Sequence, residues 1–212
     1  MILVLEGLDG CGKSTVMDAL AERMNASTLV FPHDDSVTGK VIREYLRQEW
    51  HATNAHAEAL AFQALQTVNR LECFPILKHY EDNLKADLIL CRYWQSGWVY
   101  GQMDGLDPVF LEHIHQPMPK PYLNVLLQVP PDVAWRRVQQ RKGVTELYET
   151  PHKIEEAADL YNALWASRAG DAQWIIIDAT RPLAEVVDEI CAEAKCRWLY
   201  VVPSNPAKEV QG

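Results

Sequence analysis

The run Gly7-Leu8-Asp9-Gly10-Cys11-Gly12-Lys13-Ser14 carries the spacing G-x-x-x-x-G-K-[ST], which suits a polyphosphate. Glycines let successive backbone N–H groups turn inward around phosphate oxygens, and the helix that follows adds the positive end of its dipole. Lys13 is spaced to reach the β- and γ-phosphates and the Ser14 hydroxyl to hold Mg²⁺. Such a loop implies nucleotide-dependent chemistry and is shared by kinases, GTPases and motors, so the rest of the chain must choose among them. Cys11 reads as a small filler, although a thiol at a helix N-terminus is open to oxidation. Arg136, Arg137, Arg141 and Lys142 form a basic cluster ahead of Gly143, either a set of phosphate-seeking cations or a solvated helix face. His51 with His56, and His113 with His115, have no cysteine nearby to complete a zinc spacing.

These residues need a frame. Apolar runs at Ile2–Leu5, Thr28–Phe31, Asp87–Cys91, Leu123–Val129 and Trp174–Asp178 lack polar alternation, as expected of strands covered on both faces. Helical stripes lie between them: Val16, Leu20 and Met24, then Ile154, Ala158, Tyr161 and Trp165. The stretch Ala52–Leu71 is rich in alanine and free of Gly and Pro, which predicts one long helix. Strand alternating with helix implies an α/β fold with a five-stranded parallel, doubly wound sheet. Pro130-Pro131 opens a helix after the fourth strand, and the polar tail over 203–212 is expected to fray.

Composition narrows the class. The 212 residues suit one domain, and 48% apolar with 23% charged residues is an ordinary globular mix. A net charge of −9 argues against binding a nucleic-acid polymer, although a pocket for a free nucleotide needs only a few local cations. No run of about 18 apolar residues predicts a membrane span, and the start MILVLEGLDG reads as a strand rather than a signal peptide. The five cysteines, without a CxxC pair, suit reduced thiols and a cytoplasmic location.

The longer string Leu5-Glu6-Gly7-Leu8-Asp9-Gly10-Cys11-Gly12-Lys13-Ser14-Thr15 resembles the opening of thymidylate kinases. Further segments follow in that family's order: Phe31-Pro32 with Thr38-Gly39-Lys40, Asn69-Arg70, Arg92-Tyr93 with Ser96-Gly97 and Tyr100, Gly105-Leu106-Asp107-Pro108, Tyr148-Glu149 and Tyr161-Asn162-Ala163-Leu164. The likeness spans about residues 1–195. It implies a three-layer P-loop kinase fold as one domain over 1–202, a small lid at about 136–150, and a homodimer. It also implies transfer of the γ-phosphate of ATP, with Mg²⁺, to a deoxynucleoside 5′-monophosphate, dTMP giving dTDP.

Joining two anions needs positioning and charge neutralisation rather than a general base, because the acceptor phosphate is already a nucleophile. The resemblance makes Gly7 through Thr15 the ATP-phosphate site, with Lys13 catalytic. Asp9 lies beside the acceptor phosphate and reaches the metal through water. Arg92, at the end of the third strand where open α/β sheets place ligands, clamps the acceptor phosphate. Arg70 reads the base, with Gln66 and Phe62 one and two turns earlier on the same helix face, and Phe31 from the second-strand loop. Tyr100 is the sugar-side aromatic that favours deoxyribose. With no arginine in the phosphate loop, Arg141 from the lid is the transition-state cation.

Some positions depart from the family. Cys91 stands where the family has Asp, and a thiol is a poor Mg²⁺ ligand, which leaves Asp9 or Glu6 to carry the metal's water shell. The arginine usual after Phe-Pro is replaced by His33, Asp34 and Asp35, an acidic pair that would repel a phosphate unless the loop moves away. The lid reads Leu147-Tyr148-Glu149 where Arg-Tyr-Glu is common. These changes point to a divergent branch, open to a viral source and to another or modified pyrimidine acceptor. They also leave open a deoxynucleoside salvage kinase using Glu6 as base, and a nucleotide-binding protein without turnover.

Overall fold

The computed structural model describes residues 1–48, 54–83, 86–141 and 146–201. Elements run β1 (Ile2–Glu6), α1 (Lys13–Met24), β2 (Ser27–Val30), α2 (Val37–Leu46), α3 (Ala55–Glu72), α4 (Phe74–Asp82), β3 (Leu88–Cys91), α5 (Trp94–Met103) and α6 (Pro108–His115). They continue with β4 (Leu123–Gln128), α7 (Pro131–Gln140), α8 (Pro151–Ser167), β5 (Trp174–Asp178) and α9 (Leu183–Val201). Among the described residues the sheet has five strands in the order β2-β3-β1-β4-β5, every pairing parallel. The expected three-layer α/β fold is present. The expected start of α3 at Ala52, Lys142 and Gly143 of the lid, and the 203–212 tail lie outside the described residues.

Packing follows from the period of the strand. Leu3 and Leu5 enter one core, against α1, α8 and α9, while Ile2 and Val4 enter another with Leu77 of α4. A third cluster joins Ile42, Tyr45 and Leu46 of α2 to Phe62 of α3 and Tyr148. The expectation that every strand is covered on both faces fails at the edges. Ser27, Thr28 and Val30 of β2 are exposed, and β5 alternates, with Ile176 outward. Each of these strands has only one neighbour in the sheet, and its flanking helices cover it incompletely.

The strand order sets the site. From β1 the chain crosses to β2 at one edge, and from β3 it passes β1 to reach β4 on the other side. Loops leaving the carboxyl ends of β1 and β3 therefore diverge and open a crevice. Leu5 pairs with Cys91 in register, which puts the Gly7–Ser14 loop and Arg92 side by side.

Candidate active site

The phosphate loop follows β1 and opens α1. Gly7 has φ +139° and Gly10 φ +83°, a region that side chains rarely adopt. A Cβ on Gly10 would lie 2.4 Å from the Ala134 carbonyl oxygen of α7, and one on Gly7 would lie 2.6 Å from that of Leu127. The loop is thus pressed against backbone on two sides. No side chain caps α1, and no acidic residue stands in its first turn, so its N–H groups suit an anion. The Lys13 ammonium donates to the carbonyl oxygens of Gly7 (2.9 Å) and Leu8 (2.7 Å) and lies 3.7 Å from the Cys11 sulfur.

Arg92 is turned onto this loop. Its guanidinium pairs with the Asp9 carboxylate at 2.5 Å, donates to the Ser96 hydroxyl (3.0 Å) and the Tyr161 hydroxyl (3.3 Å), and lies 5.4 Å from the Tyr100 ring centroid. The Tyr100 hydroxyl is 3.4 Å from the other Asp9 oxygen. Burial raises the Asp9 carboxyl, but the charges of Arg92 and Lys13 outweigh it and hold it at about 2. Burial alone would lower Arg92, and Asp9 lifts it well above its ordinary value. The pair is therefore ionised at neutral pH.

Arg92 itself has φ +66°. Buried Glu6 braces that turn. It accepts from the N–H of Tyr93 (2.7 Å) and of Ser96 (3.2 Å), and from the hydroxyls of Ser96 (2.7 Å) and Tyr161 (2.9 Å). Glu6 thus supplies the cap that α5 lacks from its own residues. Both of its oxygens are taken, so neither the metal shell nor the base role considered from the sequence suits it.

Beside Arg92 lies a cleft of about 200 Å³. Phe31, Phe62, Gln66, Arg70 and Tyr100, named from the sequence, all border it. Phe62 is stacked on Tyr45 with centroids 4.0 Å apart, so most of its ring belongs to the third cluster. Arg70 donates through Nη2 to the Tyr93 carbonyl oxygen at 2.8 Å, and burial lowers it to about 10. Asn69 does not join Arg70. It accepts from the His33 N–H (2.7 Å) and donates to the Ser36 hydroxyl (2.8 Å), pinning the β2–α2 loop to α3.

The structure adds cleft residues that sequence reasoning missed. Arg43 of α2 borders the cleft and pairs with Asp34 (2.7 Å) and Glu146 (3.1 Å). Asp34 is thereby neutralised rather than left to repel a phosphate. Gln63 also borders the cleft, and its signal was its spacing, seven residues before Arg70 on the same helix face. Arg43 had a weaker signal, a cation one turn beyond Gly39.

The lid cations separate. Arg141 borders the cleft and meets both oxygens of buried Glu149, at 2.6 and 2.9 Å. Arg137 approaches the carbonyl oxygens of Gly10 (3.4 Å) and Cys11 (3.5 Å) from outside the loop. There it borders a second depression of about 320 Å³ with Thr15 and Arg181. Arg136 pairs with Asp132 in solvent and takes no part.

Metal donors are sparse. Among the described residues no group of three or more His, Cys, Asp or Glu could hold an ion. Burial pushes the Cys91 thiol up, so this soft donor stays protonated. Ionised Asp9 and the exposed Ser14 hydroxyl are hard oxygen donors. That set fits Mg²⁺, which takes few protein ligands and keeps water and phosphate oxygens.

The chain is similar to known proteins along most of its length. A family model described as thymidylate kinase matches residues 5–190. A protein of Methanococcus maripaludis named "probable thymidylate kinase" is 34% identical over 191 residues, covering 89% of this chain and 92% of that relative. A "thymidylate kinase" of Plasmodium falciparum is 30% identical over 199 residues, covering 90% and 88%. A solved thymidylate kinase of Candida albicans shares the fold, with a TM-score of 0.72 at 23% identity over 93% of this chain and 92% of that one. Among the described residues no helix is long and apolar enough to cross a membrane.

Proposed function

The chain belongs to the thymidylate kinase family, and on that premise we propose how its residues convert dTMP and ATP into dTDP and ADP. The α1 N-terminus and the amides of Gly7–Thr15 hold the donor phosphates, and Lys13 leaves its own loop carbonyls to meet the β- and γ-oxygens. Arg137, Thr15 and Arg181 border the depression that receives the donor base. In the cleft, Arg92 grips the acceptor phosphate bidentately, with Arg43 as a second cation. Tyr100 packs on the deoxyribose side. Phe31, Phe62, Gln66 and Arg70 face the base.

An acceptor phosphate oxygen then attacks the γ-phosphorus, and the bond from that phosphorus to the β–γ bridging oxygen breaks, releasing ADP. Arg92 steadies the incoming side and Arg141 the equatorial oxygens. Asp9 keeps Arg92 aimed at the phosphate loop between turnovers. Ser14 and, through water, Asp9 would hold Mg²⁺, which supplies charge neutralisation on the donor phosphates. The observation that carries the reading is the Arg92 guanidinium lying against Asp9 of the phosphate loop. A nucleoside 5′-hydroxyl acceptor would need a free carboxylate base, and Glu6 has no free oxygen.

Residues 1–202 act as one domain with a lid over about 136–150. Exposed Val68, Leu71 and Ile76 of α3 and α4 support a homodimer. The free cysteines support a cytoplasmic location. The test is ADP release with Mg²⁺, ATP and a panel of nucleoside monophosphates. Phosphorylation of dTMP, with thymidine inert, is expected. A panel without a substrate overturns the reading.

A further inference from the structure

Resting on that acceptor site, we propose that Gln63 accepts the N3–H of the acceptor's pyrimidine, and with Arg70 selects an imide base over cytosine. Gln63 is 1% exposed, yet neither of its amide atoms has a partner. Arg70, 2% exposed, spends Nη2 on the Tyr93 carbonyl and leaves Nε and Nη1 unpartnered. A buried polar group without a partner costs about 1–3 kcal/mol. Both residues border the cleft, so an acceptor lying there satisfies groups that the protein leaves unmet.

Glycine on α5 creates this arrangement. A Cβ at Gly97 would lie 3.1 Å from Gln63 Oε1 and 3.5 Å from Arg70 Nη1. A Cβ at Gly101 would lie 3.3 Å from Gln63 Cδ. The amide therefore lies along bare helix backbone, with its oxygen and the free Arg70 nitrogen both near the space a Gly97 side chain would fill. Buried His115 flanks the same point, its Nε2 2.8 Å from where a Cβ at Gly97 would lie. Burial and the Arg70 charge lower it to about 2, so it stays neutral beside the arginine.

The chemistry selects by hydrogen-bond pattern. Arg70 has only donors, and Gln63 adds an acceptor next to them. Thymine and uracil present a carbonyl beside an N–H, which pairs with both. Cytosine presents an amino group where Arg70 needs an acceptor, leaving donor against donor in a dry site. Gln66 also borders the cleft, but it is half-exposed and can turn to water, so it carries less of this discrimination.

The experiment compares kcat/KM for dTMP, dCMP and N3-methyl-dTMP in the wild type and in Gln63→Leu. Gln63→Leu should lower kcat/KM for dTMP by about 10–100-fold, with KM for ATP unchanged and kcat/KM for dCMP lowered less than that for dTMP. Discrimination between dTMP and dCMP then narrows, and the Arg70 donors still oppose the cytosine amino group. The wild type should also lose rate on N3-methyl-dTMP, and the methyl and Leu losses should fail to add. The methyl arm uses the unaltered protein, so it stands if the variant does not fold. Unchanged dTMP:dCMP discrimination in Gln63→Leu, or N3-methyl-dTMP matching dTMP in the wild type, overturns the role of Gln63 alone. A wild type inert on dTMP overturns the acceptor reading and this one with it.

Discussion

At the scale of the residue, Arg92 shows function set against backbone preference. Its φ of +66° is a conformation that L-residues other than glycine rarely occupy, costing about 1–2 kcal/mol. The turn holds because Arg92 N–H donates to Leu5 O at 2.9 Å and Glu6 takes the next free N–H groups, so the surroundings over-determine it. Removing the side chain can be separated from relieving the strain. Arg92→Ala and Arg92→Gly should both cut kcat/KM for dTMP by about 10²–10⁴-fold, with ATP binding nearly intact, because each deletes the acceptor clamp. In urea unfolding Arg92→Gly should be the more stable by about 0.5–1 kcal/mol, since only glycine accepts the positive φ freely and its chain entropy offsets part of the gain. Loss of ATP binding together with dTMP turnover would instead make Arg92 a structural residue. The sequence located Arg92 through the end of its strand. It did not disclose the strain or the Glu6 brace, because both arise from contacts between β1 and α5 that no local pattern records.

At the scale of the element, periodicity carried most of what the sequence could tell. The Val16–Leu20 and Ile154–Tyr161–Trp165 stripes face the core of α1 and α8. By contrast, α4 went unread because it buries only Leu77 and so displays no stripe. Asn69 and Arg70 stand together in the sequence but serve different ends. Neighbours on a helix diverge by about 100°, and while Arg70 borders the cleft the structure turns Asn69 to the β2–α2 loop. Gln63 was missed because its setting is defined by what Gly97 and Gly101 of α5 leave empty. The same junction of α3, α5 and α6 has a pH signature through His115, lowered from 6.5 to about 2 by burial and by Arg70. Between those values the unfolded chain binds a proton that the native state refuses. Stability is therefore full above pH about 6.5 and falls on acidification, by up to about 1.4 kcal/mol per pH unit from this residue. Thermal unfolding of His115→Gln should show a flatter Tm against pH between about 6.5 and 5 than the wild type. Equal slopes would mean that the native His115 takes up its proton like the unfolded one.

At the scale of the whole molecule, charge is divided. The chain carries a net −9, yet Lys13, Arg43, Arg70, Arg92 and Arg141 converge on one cleft. Composition supplied only the sum. It could not give this division, which depends on strand order bringing the β1 and β3 loops together. Carboxylates already pair Arg43, Arg92 and Arg141, and a phosphate entering the cleft adds an anion that several of these cations can share. The native protein should therefore gain stability from ligands that bind as phosphates, by mass action. At about 100 times its Kd a ligand adds about 2.7 kcal/mol, which for a chain of this size means a rise in Tm of about 5–10 °C. Inorganic phosphate should raise Tm more than sodium chloride at equal ionic strength, since chloride screens the cleft without bridging its guanidinium groups. Together dTMP and ATP should exceed phosphate, and Arg92→Ala should lose most of the dTMP increment while keeping that of ATP. If sodium chloride matches phosphate in the wild type, the cations are only screened, and the cleft does not act as a paired phosphate receptor.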